Sequence, residues 1–289
     1  MSKQAPLTTI QEQDESLTAD NPLSLRVLPL QKVNLHEHVD PERVDRLIGR
    51  LQQDMILKNP PIVAEWQDRY VVLDGATRVT ALRKMGFQHL VAQVVQNDGS
   101  VELDAWNHIK QGIEADQLCR MVQALPQIVL RPLTRDLADR PAMTGNTLCY
   151  LILSTRQTFT VEAAAGYDYL EALNHLVEAY LEDGYVDRSK YSQFDLVKRE
   201  YPRLSGLFVY PKFSMEQVLE ISRAGKRLPA GITRFVIPGR VLRLNFDLGR
   251  LQSEEPLAAK ARWLNQRVAT LIADHRVRYY QEPIYLLDE

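Results

Sequence analysis

The run Val71-Val72-Leu73-Asp74-Gly75-Ala76-Thr77-Arg78 carries a β-branched stretch through an Asp-Gly turn into a helical pattern. A strand that feeds directly into a helix leaves free backbone N–H groups at the positive end of the helix dipole, and these form an anion site. Gly75 lets a phosphate approach the backbone, Thr77 beside Ala76 offers a hydroxyl, and Arg78 offers a planar fork for phosphate oxygens. Asp74 could hold Mg2+ or orient a hydroxyl. The same residues could instead form an ordinary helix cap, with Asp74 bonding the backbone and Arg78 exposed.

Other residues of chemical interest are scattered along the chain. Leu35-His36-Glu37-His38 follows an apolar stretch and precedes a helix signal. Two histidines around a glutamate have the composition of a metal site, but no HExxH spacing or cysteine supports one. Glu37 could act as a general base or sit in a solvated loop. Lys58-Asn59 leads into Pro60-Pro61, where Lys58 could meet a phosphate or simply face solvent. Trp106 lies in LDAWNHI, where core packing is the default reading. Pro229-Ala230-Gly231-Ile232-Thr233-Arg234 joins a glycine, a hydroxyl and a guanidinium in a second candidate anion loop.

These residues need a scaffold. Residues 1–22 are polar and aperiodic and read as a lead-in. SLRVLPLQKVNL reads as a strand ending in a loop, and Asp40-Pro41-Glu42 supplies an N-cap, a first-turn proline and a first-turn acid. In the helix that follows, Val44, Leu47, Ile48 and Leu51 form one apolar stripe. PPIVAEW and RYVVLDG, split by Gln67-Asp68, read as a hairpin. ATRVTALRKMG reads as a helix closed at Gly86, LVAQVVQ as a strand and LDAWNHIKQG as a helix. Residues 23–112 are therefore expected to form a compact α/β unit, and 113–289 a second, mixed and helix-rich domain.

In that second part, residues 113–145 hold Pro126, Pro132 and Pro141 among short apolar runs and fit strands, loops or a connection. From Thr160 the spacing of Leu170, Leu173, Leu176, Val177, Tyr180 and Leu181 predicts a helix pair or one long helix. PKFSMEQVLEISRAG reads as a helix, LPAGITRFVIPGRVLRLNF as strand-rich, and PLAAKARWLNQRVATLIADHR as a further helix.

Composition narrows the function classes. The 289 residues hold 45% hydrophobic side chains, enough for a real core without disulfide staples. Cys119 and Cys149 lack CxxC spacing and read as reduced, buried residues. The N-terminal segment has no apolar h-region and no stretch has membrane-spanning length, so a cytoplasmic protein without a membrane partner is expected. With 35 basic and 37 acidic residues, the chain lacks the positive excess of an obligate DNA binder. A helix-turn-helix with a wing-like turn at Asp183-Gly184 can be traced over residues 160–188. That stretch contains one Arg, no Lys and seven acids, so a nucleotide-responsive DNA-binding regulator is the disfavoured alternative.

Together the strand, the His36-Glu37 loop, the Asp40-Pro41-Glu42-Arg43 helix start, the Asn59-Pro60-Pro61 hairpin and the LDGATRVTALRKMG segment resemble the ParB/sulfiredoxin fold over residues 23–112. Among members of that superfamily, the chain resembles the free L-serine kinases most, because PAGITRFVIPGRVLRLNFDL and RVRYYQEPIYLLDE look like their C-terminal segments. Sulfiredoxins carry a catalytic cysteine where this chain has Ala76 and Thr77, which weighs against that activity.

The resemblance implies transfer of a phosphoryl group from ATP or ADP, with Mg2+, to the hydroxyl of L-serine, giving O-phospho-L-serine for amino-acid or siderophore precursors. It implies catalytic roles for Glu37 and Asp74 and a nucleotide and metal turn at Asp74, Gly75, Ala76, Thr77 and Arg78. It also implies nucleotide contacts from Lys58 and Asn59 and serine contacts from His36, Trp106, Thr233 and Arg234. The chain departs from the pattern at Ala76-Thr77 and Phe235, where histidines are expected. Nothing in the sequence indicates an oligomeric state.

Overall fold

The computed structural model describes residues 22–96, 98–133, 145–182 and 184–279. The lead-in up to residue 21, Pro141, Asp183 of the wing reading and residues 280–289 lie outside the described residues.

β1 (Leu25–Pro29) and β2 (Val33–Leu35) flank a 3-10 turn at Leu30–Lys32, where the sequence pattern reads as one strand ending in a loop. α1 (Pro41–Asp54) starts as expected: the Asp40 side chain accepts from the Glu42 and Arg43 N–H groups, and Met55 ends the helix in a left-handed conformation. A short β3 (Ile56–Leu57) leads to the hairpin of β4 (Ile62–Trp66) and β5 (Arg69–Asp74), with Gln67 at φ +56° in its turn. α2 (Ala76–Lys84) and β6 (His89–Val95) follow, and Gly86 closes the helix at φ +80°. Among the described residues these strands form a five-stranded sheet in the order β1-β6-β4-β5-β2.

The expected helix at LDAWNHIKQG is instead two strands, β7 (Glu102–Ala105) and β8 (Asn107–Gln111). Tertiary pairing overrides the local pattern: β8 lies between two neighbouring strands, and Asn107 through Lys110 are fully buried. The unassigned stretch resolves into α3 (Ala115–Gln123) and β9 (Ile128–Pro132). β10 (Thr147–Leu153) and β11 (Thr158–Ala163) come next, so the residues just after Thr160 are strand. A single α4 (Tyr169–Leu181), capped by Asp168, follows the left-handed Gly166. β12 (Tyr185–Ser189) comes after it, which replaces the helix pair and the helix-turn-helix with strand-helix-strand. Thr158, Thr160 and Val161 explain the shift, because β-branched residues paired on both sides favour a ladder.

α5 (Phe194–Glu200), β13 (Leu204–Val209) and α6 (Met215–Arg223) complete the second core, α6 opening with a Ser214–Gln217 capping box. Among the described residues the second sheet has six strands in the order β12-β8-β13-β10-β11-β9. The strand-rich reading of 228–246 reduces to β14 (Thr233–Val236), paired with β7, and β15 (Phe246–Asp247), paired with β3. α7 (Leu248–Gln252) and α8 (Leu257–Ala273) then return to the first sheet, where Phe246, Leu248, Leu264 and Val268 join the core of β1, β6 and α2.

The two halves thus exchange segments. β8 serves the second sheet, and the chain from Leu244 to Val268 packs on the first. Cys119 and Cys149 are free, the first partly buried and the second fully buried.

Candidate active site

β2 and β5 are parallel neighbours, with Leu35 paired to Val72. Asp74 ends β5 and Glu37 lies two residues past the end of β2, so both fall at the carboxyl ends of these parallel strands, the edge at which open α/β sheets commonly bind ligands.

Glu37 is held from across the molecule. It forms a parallel bridge with Leu228, whose N–H donates to the His36 carbonyl (2.8 Å) and whose carbonyl accepts from the His38 N–H (2.9 Å). Glu37 Oε2 accepts from the Gly231 N–H at 2.8 Å, which leaves Oε1 to take a proton. Gly231 has φ +75°, a backbone conformation that favours glycine, and a Cβ there would lie 2.0 Å from Arg188 Nη2, so the guanidinium would have to move. In the next peptide unit, the Gly231 carbonyl accepts from His108 Nε2 at 2.9 Å. Because that nitrogen carries the proton, His108 Nδ1 accepts from the Tyr180 hydroxyl (2.7 Å), which also bonds Tyr210 (2.5 Å). Burial pushes the His108 pKa down to about 4.

His36 is 1% exposed, and both of its ring nitrogens are engaged. Nδ1 lies 2.5 Å from the Val72 carbonyl, which can only accept, so Nδ1 carries the proton and Nε2 accepts from the Thr233 hydroxyl at 2.9 Å. Burial lowers its pKa and keeps the ring neutral. The expectation of a direct serine contact from His36 is thereby corrected: a buried ring with both nitrogens occupied positions Thr233 from behind. Phe235 packs edge-on against the same ring at 5.3 Å.

At the anion turn, Gly75 is the N-cap of α2 at φ +93°, and no side chain caps the helix. Asp74 is turned to other partners: its Oδ2 meets Arg78 Nη2 at 2.8 Å and Arg240 Nη1 at 3.4 Å. The first-turn N–H groups of α2 are consequently left without a side-chain acceptor, which favours the anion reading over the ordinary cap. Arg78 is not the exposed residue of the cap reading. Its Nη1 donates to the carbonyls of Asn59 (2.8 Å) and Pro60 (3.1 Å), so it staples the hairpin loop to the turn and keeps Nε and one Nη2 hydrogen for a ligand. Asn59 Oδ1 accepts from the Arg243 N–H at 2.8 Å. Lys58 is 66% exposed and paired with Asp54 at 3.4 Å, on the surface beside the loop.

Thr233 and Arg234 pair in register with Ala105 and Asp104 across β14 and β7. The Arg234 guanidinium lies 5.2 Å from the Trp106 ring centroid, within cation–π range. Asp104 Oδ2 lies 3.6 Å from Arg234 Nη1, and its Oδ1 lies 3.3 Å from Lys212 Nζ. Sequence reasoning missed Asp104, Lys212, Arg188 and Arg240. Each is an ordinary charged residue without a motif, and only the segment exchange between the two halves brings it to the site. The glycine of Pro238-Gly239-Arg240 was the one available signal for Arg240. Among the described residues no three His, Cys, Asp or Glu side chains are grouped for a metal ion.

This scaffold and edge define the chain as having the fold of the free serine kinases. A solved free serine kinase in complex with AMP matches with TM-score 0.67 at 17% identity, covering 80% of this chain and 95% of that one. A glutamate-to-alanine variant of a free serine kinase in complex with ADP gives 0.66. More particularly, the chain resembles the ATP-dependent L-serine kinase SbnI of Staphylococcus aureus (strain NCTC 8325 / PS 47). It is 25% identical to that protein over 270 residues, 92% of this chain and 97% of the relative. The structure of SbnI with a C-terminal truncation matches with TM-score 0.67 at 22% identity, over 86% of this chain and 97% of that one. No family model matches the chain.

Proposed function

We propose that this protein is a free L-serine kinase that transfers the γ-phosphoryl group of ATP to the serine hydroxyl, giving O-phospho-L-serine and ADP. The observation that carries the reading is the Leu35–Val72 register, which sets a carboxylate beside an uncapped helix start. It occurs in a chain similar along nearly its whole length to an ATP-dependent L-serine kinase.

Phosphoryl transfer asks a protein mainly for positioning and charge stabilisation. In this reading Gly75 and the first turn of α2, with Ala76, Thr77 and the remaining donors of Arg78, receive the nucleotide phosphates. Asn59 shapes the adjoining loop, and Lys58 adds positive charge at its rim. Glu37 Oε1 takes the hydroxyl proton as the serine oxygen bonds to phosphorus and the bond to the ADP oxygen breaks. Thr233, Arg234 and Trp106 line the acceptor side, where the guanidinium suits the serine carboxylate.

Mg2+ fits this site in the usual manner of nucleotide enzymes, with one carboxylate and the phosphates as ligands. Asp74 would hold it through Oδ1, since both arginines meet Oδ2. Bound there, the ion would neutralise charge on the transferring group. The reading includes a cytoplasmic setting, where ATP is abundant. A phosphate on the serine β-carbon is a good leaving group, so the product suits substitution to amino-acid or siderophore precursors.

Incubating the protein with Mg2+, L-serine and either ATP or ADP tests the reading. Serine-dependent appearance of ADP from ATP, together with a serine phosphomonoester, is expected. Absence of both products despite nucleotide binding would remove it.

A further inference from the structure

A groove of about 490 Å3 opens behind β2, between the C-terminal ends of α2 and α6. Its lining holds two guanidinium groups, Arg83 and Arg227, and no carboxylate. Two lining residues are held from outside the groove by Arg69, which donates to the Gln31 carbonyl (3.2 Å) and to Asn34 Oδ1 (3.4 Å). Arg83 is fixed at the wall by the carbonyls of Leu30 and Val33. Arg227 makes no ion pair among the described residues.

Burial and then the nearby Arg227 charge lower the Arg83 pKa. Converging like charges in a partly dry groove are unfavourable until an anion lies between them. The volume is that of a small-metabolite site.

The groove also touches the segments that hold Glu37. Ser222 in its lining donates to the Leu35 carbonyl at 3.1 Å. Arg227 immediately precedes Leu228, the residue bridged to Glu37. An occupant pulling on Arg227 therefore acts on the same short stretch, Leu228 to Gly231, that clamps the carboxylate.

We propose that this groove is a second binding site, for a small metabolite bearing carboxylate or phosphate oxyanions, and that its occupant tightens the Leu228–Gly231 clamp on Glu37. That the clamp matters for catalysis rests on the kinase reading, whereas the binding and the tightening do not.

The test uses the full chain saturated with ADP, so that the anion turn beside Asp74 is filled. Calorimetric titration with inorganic phosphate and, separately, with succinate distinguishes the phosphate from the carboxylate source. Saturable binding of at least one is expected, weakened roughly tenfold or more in Arg227→Gln, the loss of one charge-assisted contact. Amide hydrogen exchange over residues 228–231 should slow on binding and stay unchanged in that variant. No saturable binding of either anion, or equal affinity in Arg227→Gln, overturns the site. Binding without slower exchange overturns the coupling. A failure of the kinase reading would appear separately, as missing phosphoserine.

Discussion

The Glu37 carboxylate accepts a 2.8 Å hydrogen bond from the backbone N–H of Gly231, a residue 194 positions away in the chain. The carbonyl of the same residue, in the next peptide unit, accepts from His108, and its α-carbon lies against Arg188. The proposed base is therefore positioned by a loop that meets three separate elements.

Gly231→Ala tests that clamp. A non-glycine residue at φ +75° is strained by about 1–3 kcal/mol, and the new Cβ would strike the Arg188 guanidinium at 2.0 Å. If the displaced loop loses its hydrogen bond to Glu37, turnover should fall roughly tenfold, the scale of one charge-assisted hydrogen bond, while nucleotide affinity measured by titration changes little. Wild-type turnover in this variant would show that the loop does not set Glu37.

His108 makes stability depend on acid. Its pKa is about 4 in the fold against an ordinary 6.5, so between these pH values the unfolded chain binds a proton that the folded chain refuses. The stabilisation is complete above about pH 6.5 and is lost as pH falls toward 4, at about 1.4 kcal/mol per pH unit. Urea unfolding at pH 7 and pH 5 should show this loss, and His108→Gln, which can still bond Gly231 and Tyr180, should lose about 2 kcal/mol less over that interval. His36 shifts in the same direction and adds to the wild-type slope in both proteins.

Arg78→Lys separates stapling from simple charge. A lysine cannot bridge the Asn59 and Pro60 carbonyls and Asp74 at once. We expect a lower Tm and nucleotide binding weakened roughly tenfold, by the measure of one charge-assisted hydrogen bond. Unchanged affinity would remove Arg78 from the nucleotide turn.

Asp40→Ala serves as the contrast. Its carboxylate caps α1 through the Glu42 and Arg43 N–H groups. Loss of that cap should cost about 1 kcal/mol of stability in urea unfolding, with kcat unchanged. A large fall in kcat would mean that α1 steers the site, which the packing does not indicate.

The sequence was most legible where local chemistry and final structure agree. Asp40-Pro41, the Gln67-Asp68 hairpin and the Asp74-Gly75 turn were all read directly, because caps, turns and glycines act over a few residues. It was least legible at Leu103–Gln111, whose helical spacing is overruled by pairing with β12, β13 and β14, all far along the chain. His36 shows the same limit within the site. Its type suggested a ligand contact, but only the fold reveals that Val72 and Thr233 occupy both nitrogens. The Asp104–Lys212–Arg234 cluster needed the β7–β14 register before it could be seen at all.

The central claim, that Glu37 takes the proton from a serine hydroxyl, is tested most directly by phosphorus NMR of the protein with Mg2+, ATP and L-serine, wild type against Glu37→Gln. The account predicts a growing phosphoserine signal in the wild type. In the variant its rate should fall by about 10²–10⁴-fold, the usual worth of a general base, with ATP affinity preserved. A variant that makes phosphoserine at the wild-type rate would contradict the account.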